Sequence, residues 1–190
     1  MKNLLLSILL LPLAAFGQKF EISEQVGISQ AGNLTNGLYI YGRSNTTLGF
    51  SNQISFGYRP IKHLAVSAFY ELNQWDPKNN SYGIAADFTS KYFFAGADIK
   101  MASLATINYG MGSQVKYDNS LGYGIHAGAR QKIFRKLYSV EQVGYCWMAL
   151  NGTVSYQPDI IPYPAPTTNS YSFSETVRYS YLRAGLALKF

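Results

Sequence analysis

The residue types that could carry catalysis or bind a metal are scarce in this chain of 190 residues. The candidates are two histidines, His63 and His126, and one cysteine, Cys146, whereas a structural zinc site takes four Cys or His ligands. A catalytic histidine must lie beside a nucleophile, but His126 is followed by Ala127 and Gly128 and not by a serine. We therefore interpret His126 as an interior histidine and Cys146 as a small apolar strand residue. We expect no enzymatic activity, no metal site and no cofactor.

The elements that must position these residues are predicted to be β-strands. Eight segments alternate apolar with polar residues, and they are separated in turn by short and long connections. The short connections lie near residues 59–62, 89–91 and 134–137, and the long ones span residues 30–45, 74–80, 102–119 and 151–175. The pattern predicts an all-β fold, an eight-stranded antiparallel up-and-down transmembrane β-barrel. The predicted strands are residues 20–29, 47–58, 63–73, 82–88, 92–101, 121–133, 138–150 and 176–190.

The last strand carries the clearest membrane signal. Apolar residues alternate with other residues over the final segment, which ends in Phe190. The positions Arg183, Gly185, Leu188 and Phe190 resemble the C-terminal signal by which outer-membrane barrels are recognised by their assembly machinery. The resemblance implies that this machinery is a partner of the chain. The 16 Tyr, 11 Phe and 2 Trp are also suited to the two aromatic girdles of a barrel.

The N-terminal residues predict a cleaved secretory signal. A positive start at Lys2 precedes the apolar run of residues 4–13, and Ala15 and Gly17 supply small residues before a cleavage site. The run is shorter than the roughly 20 residues of a membrane-spanning helix. We therefore predict a signal peptide at residues 1–17 and a barrel domain at residues 18–190.

Strand parity predicts a charged lumen. A barrel of this size encloses only its own side chains or one small ligand, and a balanced inward set of acids and bases favours a hydrogen-bonded ion-pair network. We expect Arg130, Glu141 and Arg183 to meet on neighbouring strands and the lumen to be closed. The predicted inward acids are Glu21, Glu71, Asp87, Asp98 and Glu141, and the inward bases are Lys100, Arg130, Lys132, Arg183 and Lys189.

Two residues do not fit this parity. Glu24 and Asn52 fall on the predicted lipid-facing side. A carboxylate facing lipid near mid-depth is unfavourable, so we expect a β-bulge at residues 23–25 or a shallow position of Glu24 at the rim. A lipid-exposed Glu24 well inside the strand would count against this expectation.

The long connections are the remaining candidates for function. The last of them combines closely spaced prolines with Ile and Tyr, which suits either a stiff interaction surface or a packed lid over the barrel mouth. The candidate partner-binding residues in it are Tyr156, Ile160, Ile161 and Tyr163.

Over its whole mature length the chain resembles the OmpA/OmpX-type small outer-membrane β-barrel proteins. The resemblance implies an outer-membrane location with both termini in the periplasm, contact with outer-membrane lipid and lipopolysaccharide, and extracellular loops for adhesion, partner binding or envelope integrity. An extracellular protein or glycan is the expected loop partner. Binding or transport of a small hydrophobic ligand is the first alternative, and lipid A modification is the second. The net charge of +6 is spread over turns without a nucleic-acid-binding motif, so we expect no nucleic-acid partner.

Overall fold

A computed structural model describes residues 19–32, 47–74, 78–110, 113–156 and 169–190. All regular elements in these ranges are β-strands. Among the described residues, no helix has the length and hydropathy needed to span a membrane. The predicted signal peptide, residues 1–17, lies outside the described residues.

The strands follow the alternating segments of the sequence. Eight of them form the barrel, and two short strands, β6 and β7, form a hairpin outside it. The elements are β1 (Phe20–Gly32), β2 (Thr47–Ile61), β3 (Leu64–Gln74), β4 (Asn79–Thr89), β5 (Phe93–Leu104), β6 (Ile107–Gly110), β7 (Ser113–Tyr117), β8 (Ser120–Phe134), β9 (Leu137–Tyr156) and β10 (Asn169–Lys189).

The sheet closes on itself because β1 pairs with β2 on one side and with β10 on the other. In this seam Ile22 lies opposite Phe56 of β2 and opposite Leu188 of β10. All neighbouring strands run antiparallel, and β8 follows β5 in the barrel. The predicted all-β, eight-stranded antiparallel barrel is therefore confirmed.

The two ends of the barrel differ. The short-turn end carries the β2–β3, β4–β5 and β8–β9 turns together with residues 19 and 190. At the opposite, long-loop end, β9 and β10 extend to 20 and 21 residues and pair from Leu188↔Leu137 up to Asn169↔Tyr156. The connection predicted over residues 151–175 is therefore partly wrong, because both of its flanks are strand. β7 adds to β9 beside this extension and β6 pairs with β7, which forms a small sheet of β10, β9, β7 and β6.

The outer face is apolar with a few polar exceptions. On β1, Ile22, Val26 and Ile28 are exposed, and Glu24 is exposed between them. The β1 registers to β2 and to β10 are continuous, so the bulge expected at residues 23–25 is absent. The expected bulge was wrong, because the strand retains its register and holds the carboxylate on the outer face, while the alternative of a shallow position at the rim stays a prediction.

The lumen is filled by side chains in layers. An apolar cluster occupies the half nearest the long loops, and its larger members include Met148, Leu150, Val177 and Tyr179. Tyr117 of β7 and Phe173 of β10 pack against this cluster, with their rings edge to face at 5.7 Å between centroids. The small sheet and the barrel lumen thus share one apolar core.

Inward glycines make room for the large side chains of this narrow barrel. A Cβ on Gly144 would overlap the ring of Tyr181, and one on Gly128 would overlap the ring of Phe94. On Gly124 it would lie 2.6 Å from Oδ2 of Asp98. These glycines are therefore packing partners of the residues that close the lumen.

Candidate functional site

The centre of the lumen is organised around the Glu71 carboxylate, which is 0% exposed. Lys100 Nζ donates to Oε2 at 2.9 Å, and Arg183 Nη2 lies 2.6 Å from Oε1. Asn73 Nδ2 and the Tyr179 hydroxyl donate to Oε1 at 2.6 and 3.2 Å. A buried carboxylate with three hydrogen-bond donors and the nearby Arg183 charge is held as an anion, since opposite charge and hydrogen bonds both favour that form.

Arg183 connects three strands at this level. It belongs to β10 and lies opposite Gly27 of β1, which has no side chain to block it. Its guanidinium therefore reaches β2, where Nε donates to Ser51 Oγ at 2.7 Å and Nη1 donates to Gln53 Oε1. The guanidinium carbon also lies 3.8 Å from the centre of the Tyr181 ring. Arg183 thus fastens the β1–β10 seam from inside the barrel.

His126 lies between two carboxylates nearer the short-turn end. Nε2 is 2.6 Å from Asp87 Oδ1, and Nδ1 is 3.4 Å from Asp98 Oδ2, an ion-pair distance without hydrogen-bond alignment. Asp98 also contacts Lys100, with 3.3 Å between Oδ1 and Nζ. Both ring nitrogens of His126 therefore face carboxylates, with a hydrogen bond at Nε2 and none at Nδ1. The arrangement is that of an imidazolium in an ion-pair chain.

A polar cavity leads from the short-turn end to this histidine. Its water-accessible volume is about 50 Å³, which is room for roughly three to five ordered waters. Its inner wall is formed by Lys100, His126 and Tyr181, and its outer part by Lys19, Glu21, Arg59 and Arg130. Beyond the inner wall the Glu71 layer and the apolar cluster fill the lumen. We call this cavity the vestibule.

The mouth of the vestibule holds a second ionic group. Arg130 of β8 binds Glu21 of β1 through two parallel hydrogen bonds of 2.9 Å each. Arg59 Nη2 lies 3.7 Å from Oε2 of the same Glu21. The Arg130 guanidinium also stacks near Phe94, 5.6 Å from the ring centre. Two guanidinium groups therefore share one carboxylate at the mouth.

Of the ten predicted interior residues, seven form ion pairs, Glu141 does not face the lumen, and Lys132 and Lys189 make no salt bridge among the described residues. Glu71, Asp98, Lys100 and Arg183 lie in the central layer, Asp87 contacts His126, and Arg130 contacts Glu21. Glu141 is exposed on the outer face, opposite Ala184 and Ala129. The predicted meeting of Arg130, Glu141 and Arg183 is therefore wrong, because strand β9 turns Val140 and Gln142 inward instead.

Sequence reasoning missed the neutral partners of this network. Asn73, Tyr179, Gln53 and Ser51 complete the contacts of Glu71 and Arg183. The alternation of the sequence predicts that these side chains point inward. It does not predict their hydrogen-bond partners, because those depend on which strands face each other across the lumen. His126 was placed inside correctly, while its two acids come from β4 and β5.

The remaining predicted site residues belong to the proposed assembly signal and to the candidate partner loop. In the proposed assembly signal, Arg183 points inward, Leu188 is exposed, and the Phe190 amide donates to the Phe20 carbonyl oxygen at 2.9 Å. Gly185 lies opposite Gln25 of β1. Tyr156 ends β9, opposite Asn169. Ile160, Ile161 and Tyr163 lie outside the described residues.

Comparisons with known proteins identify the fold. No family model and no curated protein matches the sequence. Among solved structures, Neisserial surface protein A matches with a TM-score of 0.58 and 20% identity, covering 90% of this chain and 97% of that one. The outer membrane protein OprG from Pseudomonas aeruginosa matches with a TM-score of 0.53 and 10% identity, covering 91% and 97%. The chain therefore has the fold of small eight-stranded outer-membrane barrels.

Proposed function

We propose that this protein is a non-enzymatic outer-membrane barrel that displays the sheet and loops of its long-loop end to an extracellular partner. The supporting observation for the membrane location is the exposed apolar outer face. On β10 the outward residues are apolar from Leu188 to Leu182, followed by Ser180 and Arg178. A strand tilted by about 40° needs about ten residues to rise the roughly 25 Å of an outer-membrane apolar band, which places Arg178 at its edge. Both termini would then lie in the periplasm, after removal of the signal peptide at residues 1–17.

The aromatic residues of the outer face agree with this placement. Tyr123 and Trp147 stack at 5.4 Å between centroids, and Tyr145 meets Trp147 edge to face at 4.8 Å. Phe88, Phe93 and Phe134 are exposed near the short turns. Aromatic side chains at two levels suit the two membrane interfaces.

The sheet of β10, β9, β7 and β6 is the feature that favours partner binding. Its strands continue for several residues beyond the last β8–β9 pair, Gly122↔Met148. The rings of Tyr117 and Phe173 and the buried side chains of Val115 and Val154 support it from one side. A rigid platform with exposed side chains such as Tyr171 can hold a protein or glycan with little loss of conformational entropy.

Two alternatives have less support from the described residues. Passage of a small hydrophobic ligand would require a path through the layer of Glu71, Lys100 and Arg183, which is charged and packed. Lipid A modification would require a base at the outer rim, whereas His126 faces the lumen between two acids.

A crosslinking experiment in intact cells tests the proposal. A photo-reactive amino acid at Tyr171 or Tyr163 is expected to give a discrete adduct with an extracellular protein or glycan, whereas the same amino acid at Lys136, in a short turn, is expected to give none. Absence of any adduct at the two long-loop positions, with the barrel shown to be surface-exposed, would contradict a role in partner binding.

A further inference from the structure

The vestibule has more positive charge than its acids balance. Deeper inside, Lys100 and Arg183 are matched by Glu71 and Asp98, and an imidazolium at His126 is matched by Asp87. At the mouth, Arg130 is matched by Glu21. Arg59 lies 3.7 Å from the same Glu21, the charge of Lys189 is also attracted to that Glu21, and no salt bridge forms at Lys19 among the described residues.

The surplus charges lie close together. Lys189 Nζ lies 4.0 Å from the centre of the Tyr138 ring, and its charge interacts with the cations Arg59, Arg130 and Lys132 and with the acid Glu21. The cations come from β2, β8 and the end of β10, while Glu21 of β1 is the acid among the described residues that lines the mouth. Low-dielectric walls strengthen the attraction of such a group for an anion.

Buried donors in the vestibule also lack a protein partner. Arg130 is 8% exposed, and its Nε has no hydrogen-bond partner, because Nη1 and Nη2 are used by Glu21. Arg59 Nη2 makes no hydrogen bond at its 3.7 Å distance from Glu21. Gln25, 5% exposed, lines the same cavity with an unpaired amide oxygen, and the amide can be turned to present its nitrogen instead. Buried donors of this kind are normally satisfied.

We propose that the vestibule binds one small oxyanion, a phosphate or carboxylate group that enters from the short-turn end and lies between Arg59 and Arg130. Guanidinium groups suit this ligand because they present paired N–H donors to oxyanions. The cavity holds only a few water molecules, so it excludes larger solutes. Because the Glu71 layer closes its inner end, the vestibule is a binding site and not a passage. The oxyanion is either free in solution or the headgroup phosphate of a lipid.

The test uses the full barrel refolded in uncharged detergent micelles, with inorganic phosphate as the probe. The expected result is a saturable shift of the Arg130 Nε–H resonance in NMR spectra, at constant ionic strength. Arg59→Gln should weaken binding about fivefold, since it removes one partly solvated charge from the vestibule wall. Lys62→Gln and Lys136→Gln are matched controls, because both residues are exposed turn lysines outside the vestibule.

The possible outcomes separate the sources of the anion. Saturation by phosphate supports the free ion, and saturation only by a short-chain phosphatidylglycerol supports a lipid headgroup. The proposal is overturned by a response that does not saturate with either probe, by an equal response to chloride, or by control variants that weaken binding as much as Arg59→Gln.

Discussion

Replacing Glu71 with Gln should cause a large loss of stability, because Glu71 balances two buried cations. The substitution keeps the size of the side chain and its approach to Asn73, but it leaves Lys100 and Arg183 with Asp98 as the nearby acid in the central layer. Removing one partner of a buried ion pair costs about 3 to 5 kcal/mol. That is a large part of the roughly 5 to 15 kcal/mol by which a domain of ordinary stability is folded.

Urea unfolding of the refolded barrel in lipid vesicles would measure this change. Tryptophan fluorescence and the heat-dependent gel shift should give the same midpoint if unfolding is two-state. Glu141→Gln is the matched control, because Glu141 is also a strand carboxylate but lies on the outer face. We expect it to change the free energy of unfolding by less than about 1 kcal/mol.

Either of two results would refute the reasoning about Glu71. The first is a Glu71→Gln barrel that unfolds within about 1 kcal/mol of the parent. The second is an equal loss of unfolding free energy for Glu141→Gln. It would mean that β9 turns its other side to the lumen and that the ion-pair network contains Glu141. A second substitution, Lys100→Met, should recover part of the loss in the Glu71→Gln background, because it removes an unbalanced buried cation.

Three further predictions concern packing, the lipid face and assembly. Gly144→Ala should lower the free energy of unfolding by about 1 to 3 kcal/mol in the same urea assay, because the new methyl group overlaps the Tyr181 ring; an unchanged midpoint would contradict the packing described for this ring. Glu24→Leu should raise the free energy of unfolding in vesicles by about 1 kcal/mol, since it removes a carboxylate from an apolar surface. A lower free energy of unfolding would indicate that the Glu24 carboxylate has a stabilising partner. Phe190→Ala should reduce the fraction of heat-modifiable barrel in cells without abolishing refolding of the purified chain. An equal reduction of the folded fraction in cells and after refolding would indicate a structural defect instead.

The barrel could be predicted from the sequence because lipid imposes a regular pattern on its outer face. Residues such as Leu182, Leu186 and Leu188 alternate with inward ones, and the short turns interrupt the pattern at regular intervals. The pattern disappears where strands rise into water. The flanks of residues 151–175 contain mainly Ser, Thr, Asn and Gly, so they were predicted as a connection, although the structure pairs Asn151 with Ser174 and Ser155 with Ser170. The β6–β7 hairpin also lies within a stretch that was predicted as a connection, residues 102–119.

The facing of β9 could not be predicted, because its inner and outer residues are both mixed in polarity. The inward set includes Val140, Met148 and Leu150, which join apolar parts of the lumen, while Glu141 lies on the outer face. A strand that passes from a polar vestibule to an apolar cluster has no single inward residue type. Only its register against β8 and β10 fixes which side faces the lumen.

The distribution of glycines explains why this lumen is packed instead of open. Large inward side chains lie against glycines of neighbouring strands, as Tyr181 does against Gly144 and Phe94 against Gly128. Lys100 and Phe69 similarly occupy the space beside Gly83. Each ring or ionic chain therefore uses volume that a Cβ would have filled. With the centre packed in this way, both proposed binding sites lie at the ends of the barrel, the vestibule at the short turns and the sheet at the long loops.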